Sequence, residues 1–158
     1  MNDEAISLEI INQLNEALAR ELHVSIQYML QHAVGSAVSG NKPPTKQNKF
    51  IADHSKMWLP GFSLKKIAIT EMRHAEAIAE RIVVLGGEPT TEPGPIIIGR
   101  NATEMLKNDR QQEREAIELY GHILDFAGKE NDDITVNLFQ RILSDEEKHY
   151  RIFSNLIG

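Results

Sequence analysis

Apolar residues recur at every third or fourth position along most of this chain, which is the spacing of one buried face on an α-helix. Four stretches show this pattern, and we find no convincing β-hairpin signal. We therefore predict an all-α protein, a four-helix bundle with a long crossover between the second and third helices. The predicted helices run from about Ala5 to the late thirties, from after Pro60-Gly61 to Gly86-Gly87, from Asn101 to Gly128, and from just after Asn131 to past Phe153.

Residues at both ends of the third stretch predict where that helix begins and ends. Asn101 can accept a hydrogen bond from the first helical turn, and Glu104 three residues later completes a capping box. Gly128 is expected to end the helix, and a short polar turn through Asn131 follows. Because the turn through Asn131 is short, the third and fourth helices are predicted to be antiparallel neighbours.

The two long connections differ in character. Residues 86–100 contain three prolines and the run Ile96-Ile97-Ile98, and they are long enough for an extended crossover along the bundle. The alternative is a strand, which would have no partner. The insertion at about 40–61 is either a short amphipathic helix that begins at Pro44 or a surface loop. We assign residues 1–158 to a single domain.

Composition narrows the class of protein. The absence of cysteine excludes disulfides and thiolate metal sites and fits a reducing compartment, so we expect the cytoplasm. No apolar run approaches the roughly 20 residues of a membrane span, and the acidic start lacks the basic region of a signal peptide. A net charge of −6 with no basic arm opposes binding to nucleic acid.

Glutamate, tyrosine and histidine recur in a repeated order. The motif Glu-x6-Tyr is followed by Glu-x2-His, and both then occur again: Glu21 with Tyr28, Glu71 with His74, Glu113 with Tyr120, and Glu146 with His149. Residues three apart share a helix face, so each Glu-x2-His offers a carboxylate and an imidazole to one point. One such pair is weak evidence, because both residues are common on helix surfaces. Two pairs, each preceded by a helix with a glutamate on its apolar face, indicate a dinuclear metal site.

Four glutamates inside one core require positive partners, because an unpaired buried carboxylate is strongly destabilising. Two divalent cations would balance the four negative charges and leave the imidazoles neutral. Oxygen and nitrogen ligands suit iron or manganese, with zinc as a competitor. We predict two metal ions per chain, with these catalytic and metal-binding residues: Glu21, Glu71, His74, Glu113, Glu146 and His149.

The ligand on the third helix has close alternatives. Glu115 and Glu118 lie near Glu113, but the spacing to Tyr120 and the apolar neighbours favour Glu113. Asp109 lies four residues earlier on the same face. It is either a carboxylate that supports the ligands or part of an access route for metal.

Other polar residues receive simpler assignments. The hydroxyls of Tyr28 and Tyr120 are predicted to hydrogen-bond ligands across the bundle, with ordinary core tyrosines as the alternative. His23, His54 and His122 have no clear partner in the sequence, and we expect them at the surface.

Several of these stretches make the chain resemble bacterioferritin over most of its length. They are residues 14–22 with Gln27-Tyr28, residues 71–75 with Glu80-Arg81-Ile82, residues 104–106, and residues 145–149. The resemblance implies a ferritin-like fold and a ferroxidase centre, where dioxygen or hydrogen peroxide oxidises two ferrous ions and the ferric product is stored inside a homo-oligomer. It also implies that Glu21 and Glu113 are terminal ligands, that Glu71 and Glu146 bridge the ions, and that each histidine binds one ion.

The chain also departs from bacterioferritin. It ends nine residues after His149 without the short fifth helix, which puts a 24-subunit shell in doubt and makes a 12-subunit, miniferritin-like shell or a dimer an alternative. Its connection between the first two helices is longer. Met72 matches the methionine that binds haem b between paired bacterioferritin subunits, and it points about 100° away from the face of Glu71. The alternative is that Met72 only packs at an interface.

Three other functions are compatible with parts of the pattern. A rubrerythrin-like di-iron peroxidase shares both motifs, but its usual cysteine-ligated domain is absent here. A DNA-protecting miniferritin would need an attraction to DNA that the net charge opposes. A metal-free structural bundle would leave the four inward carboxylates unexplained.

Overall fold

The computed structural model describes residues 3–39 and 64–157, with side chains described from residue 8 to 34 and from 64 onward. These ranges contain four helices and no strand: α1 (Asp3–Ser39), α2 (Leu64–Val84), α3 (Ala102–Lys129) and α4 (Asp133–Ile157). The predicted all-α class and its four helices are confirmed. The insertion at 40–61 and its alternative short helix lie outside the described residues. No helix in the described ranges is long and apolar enough to cross a membrane.

Helix α2 ends just before the predicted glycine pair, Gly86-Gly87. Gly86 has a φ of 82°, the left-handed conformation that glycine adopts without strain, and the Gly87 N–H donates to the Ile82 carbonyl at 2.9 Å. A Cβ on Gly87 would lie 2.7 Å from Cγ2 of Ile11. The pair therefore ends the helix and allows α2 to approach α1 closely.

The two ends of α3 differ in part from the prediction. Asn101 caps the helix by accepting from the Glu104 N–H at 3.0 Å, as expected. The carboxylate of Glu104, however, accepts from the Arg100 N–H and not from that of Asn101, so the capping box was wrong in its second bond. Gly128 lies inside the helix. Asn131, with a φ of 58°, takes the left-handed position after the helix, because asparagine tolerates that conformation.

Contacts between helices define their directions. Residues later in α1 contact residues earlier in α3: Tyr28 meets Glu113, whereas Glu21 meets Tyr120. Arg81 of α2 likewise reaches Asp132 and Thr135 at the start of α4. Both pairs are therefore antiparallel. Helices α3 and α4 are antiparallel as well, since Tyr120 meets Phe139 and Glu113 meets His149, so α2 and α3 run in the same direction and the connection between them must span the bundle.

That connection is the predicted extended crossover, and it lies along α1. The Asn15 side chain donates to the Glu88 carbonyl at 3.0 Å and accepts from the Thr90 N–H at 2.7 Å. Further along, the Gly94 N–H donates to the Ala19 carbonyl at 3.0 Å. The crossover thus forms backbone hydrogen bonds with α1 at several points along its length and does not form a strand.

The buried apolar side chains form two clusters. One contains Leu14, Ile78, Ile123 and Phe139, and the other contains Val24, Leu64, Met105 and Phe153, each with further members. On every helix the predicted metal ligands fall between residues of the two clusters. The bundle core is therefore apolar on both sides of a polar layer, which lowers the exposure of that layer to water.

Candidate metal centre

The six predicted ligands come together in the polar layer from all four helices. The four glutamates are 0% exposed, and His74 and His149 are 8% and 7% exposed. Their ligand atoms form two groups in which all atoms lie within 4.8 Å of one another: Glu21, Glu71, His74 and Glu146, and Glu71, Glu113, Glu146 and His149. Two adjacent positions for cations result.

Glu71 and Glu146 belong to both groups and lie between the two positions. The Nδ1 atom of His74 is 3.0 Å from Glu71 Oε2 and 3.0 Å from Glu146 Oε1. On the other side, Nδ1 of His149 is 2.8 Å from Glu71 Oε1 and 3.9 Å from Glu146 Oε2. The carboxylates of Glu71 and Glu146 can therefore each offer one oxygen to each position, and each imidazole can serve one position through Nδ1.

Several oxygen and nitrogen atoms of the cluster lack hydrogen-bond partners and are free to bind metal ions. Each of the four glutamates has at least one buried oxygen without a hydrogen-bond partner, and Nδ1 of His149 has none either. Such orphaned atoms are costly in a core, and native proteins rarely keep them without an ion or water. The donor set of oxygen and nitrogen atoms suits iron, manganese or zinc.

Without metal, the cluster holds protons in place of cations. Burial raises the pKa of Glu21 to about 7, helped by the nearby charges of Glu146 and Glu71. Burial also raises the pKa of Glu113 well above its usual value. Burial lowers the pKa of His149, but contacts with Glu146 and Glu71 outweigh it and raise the value to about 9. Metal binding should therefore release protons.

Two tyrosine hydroxyls hold the carboxylates of Glu113 and Glu21 in place. Tyr28 of α1 donates to Oε1 of Glu113 on α3, and Tyr120 of α3 donates to Oε1 of Glu21 on α1. In both glutamates the other oxygen, Oε2, has no hydrogen-bond partner. Each tyrosine thus occupies one oxygen of a carboxylate and leaves the second free for a cation.

A buried arginine beside the cluster was missed by the sequence analysis. Arg20 is 9% exposed and donates to Glu21 Oε1 at 3.2 Å. Its position three residues after Ala17 and four before Val24, both fully buried, is the signal that would have placed it on the inner face.

Burial distinguishes Glu113 from the neighbouring glutamates on α3 and contradicts the expected position of His23. Glu113 is fully buried, whereas Glu115 and Glu118 are exposed. His23 was expected at the surface, but it is only 4% exposed, and its Nε2 lies 3.0 Å from Gln27 Oε1. The prediction was wrong because the crossover covers this face of α1, where Gly94 packs against the imidazole ring. His122 is exposed as expected, and His54 lies outside the described residues.

Met72 lies on the opposite side of α2 from the cluster. It is 47% exposed and lines an apolar groove of about 520 Å³ between α1 and α2, together with Met29 and Ile69. Lys65 and Arg73 stand at the same groove.

The amino-acid sequence of this chain is similar to those of ferritin-like proteins. The family model described as a ferritin-like domain matches residues 55–158. A bacterioferritin from Desulfovibrio desulfuricans is 35% identical over 98% of this chain and 78% of its own length, and one from Streptomyces coelicolor is 34% identical over 89% and 75%.

Solved structures extend the similarity to the fold. A Desulfovibrio desulfuricans bacterioferritin, described with a di-iron site in different catalytic states, has a TM-score of 0.80 at 34% identity and covers 99% of this chain and 82% of its own. A Rhodobacter capsulatus bacterioferritin, described with a metal-free dinuclear site and haem iron, has a TM-score of 0.75 at 27% identity, covering 95% and 84%.

Proposed function

Because this chain belongs to the ferritin-like family together with the bacterioferritins, we propose that the buried cluster is the di-iron centre of a ferroxidase that stores or detoxifies iron. The observation that carries the proposal is the pair of overlapping ligand groups, whose glutamates have buried oxygens without hydrogen-bond partners. The reaction converts two Fe(II) and one dioxygen, with two protons, to two Fe(III) and one hydrogen peroxide. With hydrogen peroxide as the oxidant, two protons are consumed and two waters are formed.

The side chains have separate parts in this mechanism. Glu71 and Glu146 hold the two ferrous substrates close together, so that two electrons can leave for one oxidant molecule. Glu21 and Glu113 complete the two positions at their outer ends. The Tyr28 and Tyr120 hydroxyls keep those terminal carboxylates oriented, and the apolar clusters on either side limit the access of water.

A matched pair of substitutions on α3 tests the proposed centre. Glu113→Gln removes a buried charged ligand, and we expect the initial rate of Fe(II) oxidation to fall at least about tenfold, since even outer contacts of a metal site are worth that much. Glu118→Gln changes the same helix by the same charge at an exposed position and should keep the wild-type rate. The rate is measured from the absorbance of ferric product after Fe(II) is mixed with the protein in air.

Two outcomes would contradict the proposal. Equal rates in the two variants would show that Glu113 is not a ligand. Iron uptake that stops at two ions per chain would favour peroxidase turnover over storage.

The chain is expected to work as an iron-storing homo-oligomer, as its similarity to bacterioferritins implies. Exposed apolar residues Met29, Ile69 and Met72 on neighbouring faces of α1 and α2 support contact between copies. Light scattering distinguishes a dimer from a 12- or 24-subunit shell by mass. A monomer at micromolar concentration would contradict this part of the proposal. We place the assembly in the cytoplasm, which the absence of cysteine favours.

The groove at Met72 is the proposed haem site. Its apolar walls would suit a porphyrin, Lys65 and Arg73 would offer positive charge to its two propionates, and the exposed Met72 sulfur would bind its iron. Bound haem would supply one-electron chemistry at a distance from the di-iron centre.

A further inference from the structure

Arg20 places a permanent positive charge inside the polar layer. Its Nη2 donates to the Gln112 carbonyl at 2.6 Å, and its Nη1 donates to Glu21 Oε1 at 3.2 Å and to the Tyr120 hydroxyl oxygen at 3.4 Å. The guanidinium carbon lies 5.7 Å from the centre of the Tyr120 ring. These contacts to α1 and α3 hold the guanidinium in one position.

From that position the guanidinium is close to three of the four cluster carboxylates. Besides Glu21, it lies 3.8 Å from Glu113 Oε2 and 3.9 Å from Glu146 Oε2. These three carboxylates come from three different helices. Arg20 therefore attracts both terminal ligands and one bridging ligand before any cation is present.

The charge balance changes when Arg20 is included. Four carboxylates and one guanidinium carry −3, so two divalent ions bring the layer to +1, where a centre without Arg20 would be neutral. Each oxidation of Fe(II) to Fe(III) adds another positive charge beside the guanidinium. The repulsion is large in a buried, low-dielectric site and grows with the charge of the ion.

We propose that Arg20 is a built-in counter-cation that stabilises the metal-free cluster and weakens its hold on metal, so that iron passes through the centre and does not stay there as a cofactor. This inference rests on the proposed di-iron centre. Arg20 acts through the ligand carboxylates and is a positioning residue. Its guanidinium disfavours retention of the ferric product more strongly than binding of the ferrous substrate.

The test uses the full chain and zinc, which is not oxidised and reports binding alone. Arg20→Gln removes the charge, and Arg20→Lys keeps it. Arg81→Gln is the matched control, because Arg81 is also about 10% exposed and pairs with Asp132 at 2.8 Å, but outside the cluster. Zinc affinity and stoichiometry are measured by calorimetry on iron-free protein. Thermal unfolding is followed by circular dichroism with EDTA and with zinc.

We expect Arg20→Gln to bind zinc at least tenfold more tightly than wild type, while its melting temperature in EDTA falls by several degrees. Arg20→Lys should keep an affinity within about threefold of wild type. Arg81→Gln should melt at a lower temperature without a change in zinc affinity. An Arg20→Gln protein that folds only with zinc would also support the inference, since the zinc ion then replaces the missing guanidinium charge.

Other results would overturn it. An unchanged or weaker zinc affinity in Arg20→Gln would make Arg20 a purely structural residue. Equal tightening in Arg20→Lys, or an Arg20→Gln chain that does not fold even with zinc, would exclude the charge as the cause. If wild-type protein binds no zinc, the metal centre itself fails. Two zinc ions per wild-type chain with no effect of Arg20→Gln would leave the centre intact and reject only this inference.

Discussion

Asp109 is a fully buried carboxylate outside the metal cluster. Its Oδ1 accepts from the side-chain amides of Gln27 at 3.0 Å and Gln31 at 2.9 Å, while Oδ2 has no hydrogen-bond partner. Burial raises the pKa of Asp109 from 3.8 to about 7, although the two amide contacts oppose the change. The folded protein therefore prefers this side chain in its protonated form.

A pH-dependent stability difference follows at this residue. Because the folded-state pKa of Asp109 is raised, its favourable contribution is complete below about pH 4 and is lost as the pH rises through about 7. Asp109→Asn mimics the neutral form and avoids that loss. We expect the variant to gain on the order of 2 kcal/mol over wild type between pH 5 and pH 8 in urea unfolding.

The exposed Asp125 on the same helix provides the control. Asp125→Asn makes the same change in charge at an exposed position, and it controls for the general effect of removing one negative charge from this helix. A constant difference between Asp109→Asn and wild type over this pH range would mean that Asp109 is ionised at little cost in the folded protein.

At the scale of the elements, the crossover depends on side chains of α1. It has no helical or strand hydrogen bonds of its own, and Asn15 supplies one donor and one acceptor to its backbone at Glu88 and Thr90. Gln27 accepts from the Ile97 N–H at 3.1 Å near its other end. The path of the crossover is therefore determined by polar positions on α1.

Removal of one of these supports should destabilise the fold without altering the metal ligands. Asn15→Ala deletes two hydrogen bonds and leaves the partly buried Thr90 N–H without its acceptor, so we expect the free energy of unfolding to fall by about 1 to 3 kcal/mol. Asn12→Ala, at an exposed position one turn earlier, should change it by less than about 0.5 kcal/mol. Urea unfolding measures both, and equal changes in the two variants would show that the hydrogen bonds of Asn15 contribute nothing beyond the change in helix propensity.

At the scale of the whole molecule, the two sides of α2 serve different sites. The inner side carries Glu71 and His74, and the outer side carries Met72 at the apolar groove. A residue next to a ligand in the sequence therefore lies outside the core. This division would allow one bundle to hold the proposed di-iron centre inside and the proposed haem at its surface.

The proposed haem site predicts a specific spectroscopic result. Met72→Leu keeps the size and apolar character of the side chain but removes the sulfur, so haem should bind at least about tenfold more weakly and lose the spectrum of the methionine-bound form. Met29→Leu changes a second methionine at the same groove and should keep both the affinity and the spectrum. Added haem is followed by visible absorption, and identical spectra in the two variants would exclude Met72 as the ligand.

The sequence predicted local features well, because the helical repeat decides which residues share a face. The four helices were predicted correctly. The i, i+3 spacing also brought each Glu-x2-His pair to one face, as His74 and Glu71 show at 3.0 Å. The ends of α3 were less accurate, since Gly128 and Asn131 both suit a helix end and the choice depends on the following turn.

What the sequence alone determined is therefore the set of helices, their inner faces and the residue types on those faces. Only the tertiary structure decided which side chains meet: the crossed contacts of Tyr28 and Tyr120, the guanidinium of Arg20 among three carboxylates, and the burial of His23 beneath the crossover. Periodicity describes one helix at a time. Contacts between helices depend on their directions and on the path of the connecting chain, because residues distant in sequence become neighbours only when the bundle packs.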